Sequence, residues 1–538
     1  MFNVMMSPCV PMKWHHDADR TELARLAPGA LPAAAPGLTT LTPLGEMLAA
    51  AHLGTLDIPN VAVSSALRRL LVALFIRISG LDIADPDAWD DRWDELFRQG
   101  HLDPAEVDAY NTKWAHRFNL DDPERPFLQD PRLSTECGDP APPAKLVMTR
   151  ASGNNQPWLD RTPQAAPVTP HEAFWWVLAW RQYGPCGLGA NRSHNGVTHK
   201  SMAAAPLRSA ISWHPESGNE FTNLLLSAPH PTDIPVTGPD LPEWEQVALP
   251  DPLRPELPTG PVSRLINRAV HATLTRTDPT TGQITAVWAA WRTPVPSALK
   301  DAGAKKALEV ASEAVTAAED PFLINRAKGG PVRANHARAL VRDFDSLVHI
   351  RRPGDTTSSA TTPPAWIRLL DTLPAEALDH LGPIRARALA CHQDKQEKEE
   401  IWFEQVTPVV VADYTSGRHP EMAARVTSTR QAAEESAKAL AAALRSAWNA
   451  MSPDPRSECP WIHDTLAVYW DRTGSRFWQA ISDGTDPQLR SLAITLYDDA
   501  TRADAATPAG LIPIAHARAI LTHPKTRRST KRSTKKTT

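Results

Sequence analysis

Nothing in the 538-residue sequence is apolar enough to cross a bilayer. The longest such stretch, Leu70 to Ile78, is too short and contains Arg77. The first residues carry no basic region followed by a long apolar run, so no signal peptide is expected. Five cysteines, Cys9, Cys137, Cys186, Cys391 and Cys459, form no C-x-x-C pair, and their number is odd. That argues against a disulfide framework or a cysteine-only zinc site, and for a reducing, cytoplasmic setting. A strong charge of either sign is also missing. The formal net charge is -4, so a nucleic-acid partner would have to be met by local patches.

Catalytic signatures are equally scarce. The sequence has no G-x-x-x-x-G-K-[ST] phosphate loop and no G-x-S-x-G nucleophile elbow. Gly184 to Gly189 is no dinucleotide loop, because Pro185 and Cys186 break the pattern and the preceding segment reads as helix. His15-His16-Asp17 and His392-Gln-Asp394 could begin a metal shell, but no ordered set of further ligands completes either. No metal, cofactor or enzymatic activity is expected.

What the chain has in excess is proline. Its 51 prolines predict numerous long loops, above all over residues 121 to 170 and 229 to 262. Leu67, Leu70, Leu71, Leu74, Phe75 and Ile78 recur at helical spacing within Val61 to Gly80, with Arg68, Arg69 and Arg77 off the stripe. Further helices are predicted over Asp87 to Arg98, Pro104 to Phe118, His171 to Gln182 and Ser217 to Ser227, and Ala302 to Ala318 reads as a polar helix or a mobile segment. Gly184 to Gly196 reads as a loop. His271 to Thr277 and Gln283 to Trp291 alternate around Asp278-Pro-Thr-Thr-Gly282, the pattern of a β-hairpin. Ile384 to Ala390 and Glu400 to Val411 read as strands, and Arg351 to Pro364 as a surface loop.

The character changes near residue 412. Four helical runs, Pro420 to Ala450, Pro460 to Ile481, Pro487 to Ala506 and Leu511 to Leu521, predict an antiparallel bundle. The expected class is α+β. A large mixed domain spans 1–411, a four-helix bundle 412–523 and a basic tail, expected to be disordered, 524–538, with seven Lys or Arg and no acid in the tail.

Five landmarks occur in order: Phe118 to Gln129 (FNLDDPERPFLQ), Ser152 to Gln156 (SGNNQ), Tyr183 to Gly187 (YGPCG), Leu207 to Pro215 (LRSAISWHP) and Arg333 to Arg338 (RANHAR). Together the sequence resembles the CasA family, the large subunit of the type I-E CRISPR surveillance complex Cascade, over roughly residues 20 to 522. The usual family opening is reduced here to Ser7-Pro-Cys-Val-Pro11, which leaves open whether a first strand forms. The paired cysteines that hold zinc in some members are absent, so no metal is carried over.

The resemblance implies a non-catalytic subunit that recognises the protospacer-adjacent motif (PAM) of double-stranded DNA from the minor groove. It would wedge the duplex open for crRNA pairing and R-loop formation, and support recruitment of the helicase-nuclease in antiviral defence. Partners would be the backbone subunits, the small subunits, the subunit at the crRNA 5′ end, the crRNA and the target DNA. A glycine loop in the family approaches the groove floor. It resembles Gly184, Gly187 and Gly189 here, the last two matching best; a helix-ending turn is the plainer reading. The family's groove-entering lysine follows a Thr-Gly step. Thr259-Gly260 is followed here by Arg264 and Arg268, and an ordinary surface arginine is the plainer reading of each. The family wedge resembles Arg333, Ala334, Asn335, His336 and Ala337, with His336 in the place of a stacking glutamine; a helix start capped by Asn335 is the alternative. Asp130 to Ala144 resembles an exposed family loop near the crRNA 5′ end, expected to be extended and to order on assembly. Arg418, Arg425, Arg430, Lys438 and Arg445 could line a bundle face toward the small subunits and the displaced strand. Two other classes stay open: a helical scaffold without a DNA role, and a metal-dependent nuclease.

Overall fold

The computed structural model describes residues 1–28, 39–150, 162–326, 330–335, 339–350, 361–393, 399–452, 454 and 457–523. The chain divides into two units, one of Met1–His336 with Ser346–Arg418 and one of Ala337–Asp345 with His419–Thr538.

The first unit is built around the helix Val61–Ser79. Asn60 caps its start by accepting from the Val63 amide, and Gly80 ends it in the left-handed conformation. The apolar stripe suggests one buried face, but the helix is enclosed on all sides, including Arg68 and Arg69. Those two arginines are no solvated edge. Arg68 pairs with the buried Glu220 at 3.3 Å, and Arg69, with no exposed surface, makes a two-pronged pair with Asp320 at 2.8 and 3.0 Å. Around this helix lie the helix Pro170–Tyr183, rich in buried aromatics, the short helix Glu220–Ser227 and the helix Pro261–Ile266.

The strands form several small sheets. Val10–Trp14 is the middle strand of three, between Thr39–Thr42 and Gly54–Leu56, so a first strand forms despite the reduced opening. Its side chains are buried except at Lys13, which is enough apolar surface to fix the register. Arg385–Gln393 lies between Glu399–Val406 and Ile211–Glu216. The predicted hairpin is present as His271–Thr277 and Ile284–Trp291, with Gly282 left-handed at the turn. A second hairpin, Gly187–His194 with Val197–Met202, occupies the stretch expected to be a loop. Its turn uses Asn195 and Gly196 at φ 45 and 80°, a two-residue reversal that alternation alone did not mark because glycine and charge break the pattern.

The stretch Asp130 to Ala144 also differs from an extended loop. It holds the short helix Leu133–Glu136, and Leu133 is fully buried against Ala272 and Ala290 of the long hairpin. Ala141 exchanges backbone hydrogen bonds with Val287 at 2.8 and 3.0 Å.

In the second unit, Pro420–Met451 packs against Ile462–Asp483, Leu489–Ala505 and Leu511–Thr522. Small residues on the long helix, such as Ala433, Ala437, Ala443 and Ala447, let the others approach. Tyr469 and Tyr497 donate to the carbonyls of Ala433 and Ile514 and so satisfy their buried hydroxyls. The basic tail and most of Arg351 to Pro364 lie outside the described residues. No described helix is long and apolar enough to cross a membrane.

Two outcomes follow from the buried polar core. Asp320→Ala leaves Arg69 and Arg268 buried without their carboxylate and is expected to cost about 3–5 kcal/mol in denaturant unfolding of the first unit. His214 sits inside the same core, 2.9 Å from Ser212 Oγ. Burial first, then the charges of Arg68, Arg69 and Arg387, hold its pKa well below the usual value. A lowered histidine pKa gives stability that is complete above about pH 6.5 and is lost as pH falls below it. Thermal midpoints at pH 7.5 and 5.5 should therefore differ less in His214→Gln than in the parent.

Candidate nucleic-acid interface

The candidate residues sit on three segments, two joined by one stretch of backbone and the third held to them by side chains. The helix Pro170–Tyr183 ends at Gly184. Beyond it, the Gly184 carbonyl accepts from the Ala205 amide at 3.0 Å, and the Gln182 carbonyl accepts from Leu207 at 2.9 Å. Two residues later, the Ser209 carbonyl accepts from the Ala334 amide at 2.8 Å, and Ala210 bridges Arg333. The Leu207 to Ala210 stretch thus ties the glycine segment to the wedge segment. Gln182 also reaches the other way, its Nε2 donating to the Leu265 carbonyl at 2.8 Å, while Arg181 Nη2 donates to Ile266 at 3.0 Å. Those carbonyls belong to the helix that carries Arg264.

The three glycines have different reasons to be glycine. A Cβ on Gly184 would fall 2.0 Å from His271 Nδ1 and 2.6 Å from the Trp180 carbonyl. One on Gly189 would fall 2.7 Å from the Ala289 carbonyl. Both are fixed by close packing inside the chain. Gly187 meets nothing within 4 Å and holds φ at +135°, so its bare face opens outward. The hairpin that displays it is anchored at Arg192. This guanidinium has no exposed surface, bonds Asp130 at 2.8 Å, Glu136 at 2.6 Å and the Trp291 carbonyl at 2.9 Å, and lies over the Trp291 ring. The bonds to Asp130 and Glu136 also fix the Asp130 to Ala144 stretch.

The two candidate arginines separate cleanly. Arg268 is no surface residue: it is largely buried and reaches Asp320 at 3.4 Å beside Arg69. Burial on its own would raise the Asp320 pKa, but the charges of Arg69 and Arg268 and hydrogen bonds from Arg69 and the Phe322 amide bring it below the usual carboxylate range. Arg264 is half-buried. Its Nη1 donates to the Gly260 carbonyl at 2.9 Å, and its Nε finds no partner. The Thr259-Gly260 step is explained by Asp240, which accepts from the Val262 and Ser263 amides at 2.7 and 2.9 Å. A Cβ on Gly260 would fall 2.5 Å from that carboxylate.

The wedge segment is extended. Leu323 to Arg326 and Gly330 to Arg333 run antiparallel, with Val332 donating to Ile324 at 3.0 Å and Arg326 to Gly330 at 3.1 Å. Arg333 is exposed. The next described helical residue is Ala339, so the Asn335 cap falls beside residues outside the described ones; the Asn335 Oδ1 is buried without a partner among the described residues. His336 and Ala337 lie outside the described residues. Trp213 donates to the Phe322 carbonyl at 2.8 Å, which docks the base of this hairpin on the sheet and on Asp320.

Two of the bundle-face candidates in the second unit are engaged in other ways. Arg425 Nη1 donates to the Ile481 carbonyl at 3.0 Å, and Arg430 pairs with Asp345 at 2.8 Å. In the first unit, Arg418 donates to the Leu370 and Leu373 carbonyls. Lys438 and Arg445 are exposed on the long helix. No group of three or more His, Cys, Asp or Glu among the described residues is placed to hold a metal ion.

Residues 34–505 match the family model of the CRISPR-associated protein Cse1. The chain belongs to the Cse1 family. A chain of a CRISPR RNA-guided surveillance complex is 29% identical, with TM-score 0.78, over 97% of this chain and 99% of that one. CasA (Cse1) of Thermus thermophilus shares the fold at 20% identity and TM-score 0.68, over 97% and 98%. Cse1 of Thermobifida fusca does so at 17% and 0.69, over 97% and 96%. No curated protein matches.

For this Cse1-family chain the glycines give a direct check. Gly189→Ala is expected to cost about 1–3 kcal/mol in stability through overpacking against backbone. Gly138→Ala, with nothing within 4 Å of the new methyl and no left-handed φ, should leave the midpoint unchanged.

Proposed function

We propose that this chain is the non-catalytic large subunit of a type I-E Cascade, and that it recognises the PAM of double-stranded DNA from the minor groove. Gly187 approaches the groove floor, Arg264 supplies the groove cation, and Arg333, Asn335 and His336 part the first base pairs. The observation that carries this reading is the hydrogen-bonded linkage of the three segments: backbone bonds through Gly184 and Leu207 to Ala210 join the glycine hairpin to the wedge hairpin, and the Gln182 and Arg181 side chains join them to the Arg264 helix. A recognition surface must hold its contacts in fixed relative positions, and buried hydrogen bonds to backbone do this better than free loops.

The physics of each contact is consistent. Minor-groove readout is largely A·T against G·C, so a few contacts suffice for a short motif. A bare glycine face admits the groove edge, and arginine suits a narrow groove of strong negative potential. Unstacking costs a few kcal/mol per step, offset by contacts that the opened duplex permits. Guide pairing then reads the rest of the target, as in other RNA-guided effectors. The subunit would work with the backbone and small subunits, the crRNA, the subunit at its 5′ end and the helicase-nuclease, in the cytoplasm.

The test is target-duplex binding by the reconstituted complex at fixed salt, with a library of flanking motifs, with and without this subunit. Motif-selective binding should require the subunit, and Asn335→Ala with His336→Ala should lower it about tenfold or more. A subunit that joins the complex but leaves motif preference unchanged would favour a scaffold role.

A further inference from the structure

The arginines brought to the first unit's interior raise a question of charge. The salt-dependent part of DNA binding comes from protein cations that neutralise phosphates and release the counterions condensed on the DNA, and a buried cation already paired with a carboxylate is not available for this. Arg69 and Arg268 are spent on Asp320, Arg192 on Asp130 and Glu136, and Arg208 is buried with its Nη1 on the Tyr183 carbonyl. Two exposed cations on the same backbone unit have no such partner among the described residues.

Lys200 lies on Val197–Met202, the return strand of the glycine hairpin. Pairing runs from Leu188↔Ser201 directly to Arg192↔His199, so Gly189, Ala190 and Asn191 bulge opposite Lys200 alone. Bulges re-aim side chains and hold them at a sheet edge. Arg326 lies on the wedge hairpin, paired on one side with Gly330 and on the other with Thr361. Its backbone is held on both sides while its side chain is exposed. Among the described residues, no carboxylate pairs with either.

We propose that Lys200 and Arg326 are the phosphate-gripping cations of this interface, one on each of the two hairpins that flank the Leu207 to Ala210 stretch. Their ligand is the sugar-phosphate backbone of the duplex beside the motif. They position that duplex; they do not read its bases. The inference rests on the reading of the chain as a duplex-binding subunit.

The test uses the assembled complex and two probes, a target duplex with its preferred flanking motif and one with a scrambled flank, over a series of salt concentrations. Lys200→Ala and Arg326→Ala should each weaken binding several-fold and to the same degree on both probes. Each should also reduce the slope of log affinity against log salt by about 1. Lys305→Ala, which removes an exposed charge from the helix Ala302–Ala317, controls for net charge and should leave the slope unaltered. An unchanged slope in both variants, or a loss confined to the preferred motif, overturns the proposal. Equal binding of both probes by the parent complex would instead count against motif recognition, and the slopes on either probe would still decide the phosphate contacts.

Discussion

One carboxylate organises the first unit. Asp320 is buried among Arg69 of the central helix, Arg268 beyond the Arg264 helix and the Phe322 amide of the turn it begins. Burying two guanidiniums is unfavourable unless each is paired, so the three elements must come together for any of them to be stable. Ser212 on the sheet completes the set by accepting from Arg69 at 3.0 Å. The wedge hairpin begins three residues after this carboxylate, and its position relative to the helix and sheet is fixed at that point.

A second charged cluster fixes the other half of the candidate interface. Arg192 holds Asp130 and Glu136, and His194 bonds Glu136 at 2.6 Å. The glycine hairpin therefore stands on buried ionic contacts, not on a large apolar face of its own. This explains why so polar a segment has a defined strand register. It also explains the ordered Asp130 to Ala144 stretch, which supplies two of those carboxylates.

The helices and the long hairpin were legible in the sequence because their apolar residues recur at 3.6 or 2 and their ends carry clear signals, such as Asp103 accepting from the Ala105 amide or Gly80 at a helix end. The bundle was legible for the same reason. What alternation could not reveal was any element stabilised by long-range ion pairs. Arg68 and Arg69 read only as lying off the apolar stripe, and Arg268 as a surface residue, because their partners lie 152, 251 and 52 positions away. The glycine hairpin read as a loop because its anchor, Arg192, is a charged residue whose burial depends on Asp130 and Glu136. Of the candidate site, the ordered motifs marked the segments, and the Leu207 motif is the stretch whose backbone joins the glycine and wedge segments. Which glycine is open and which arginine is committed needed coordinates.

The central claim is that the glycine hairpin and the wedge hairpin act as one surface on the duplex. Hydrogen exchange of the assembled complex, with and without a motif-bearing duplex, tests it most directly. The account predicts that Gly187 to Ser201 and Gly330 to Asn335 gain protection together, at the same duplex concentration. Protection of one hairpin without the other, or only of helices in the second unit, would contradict it.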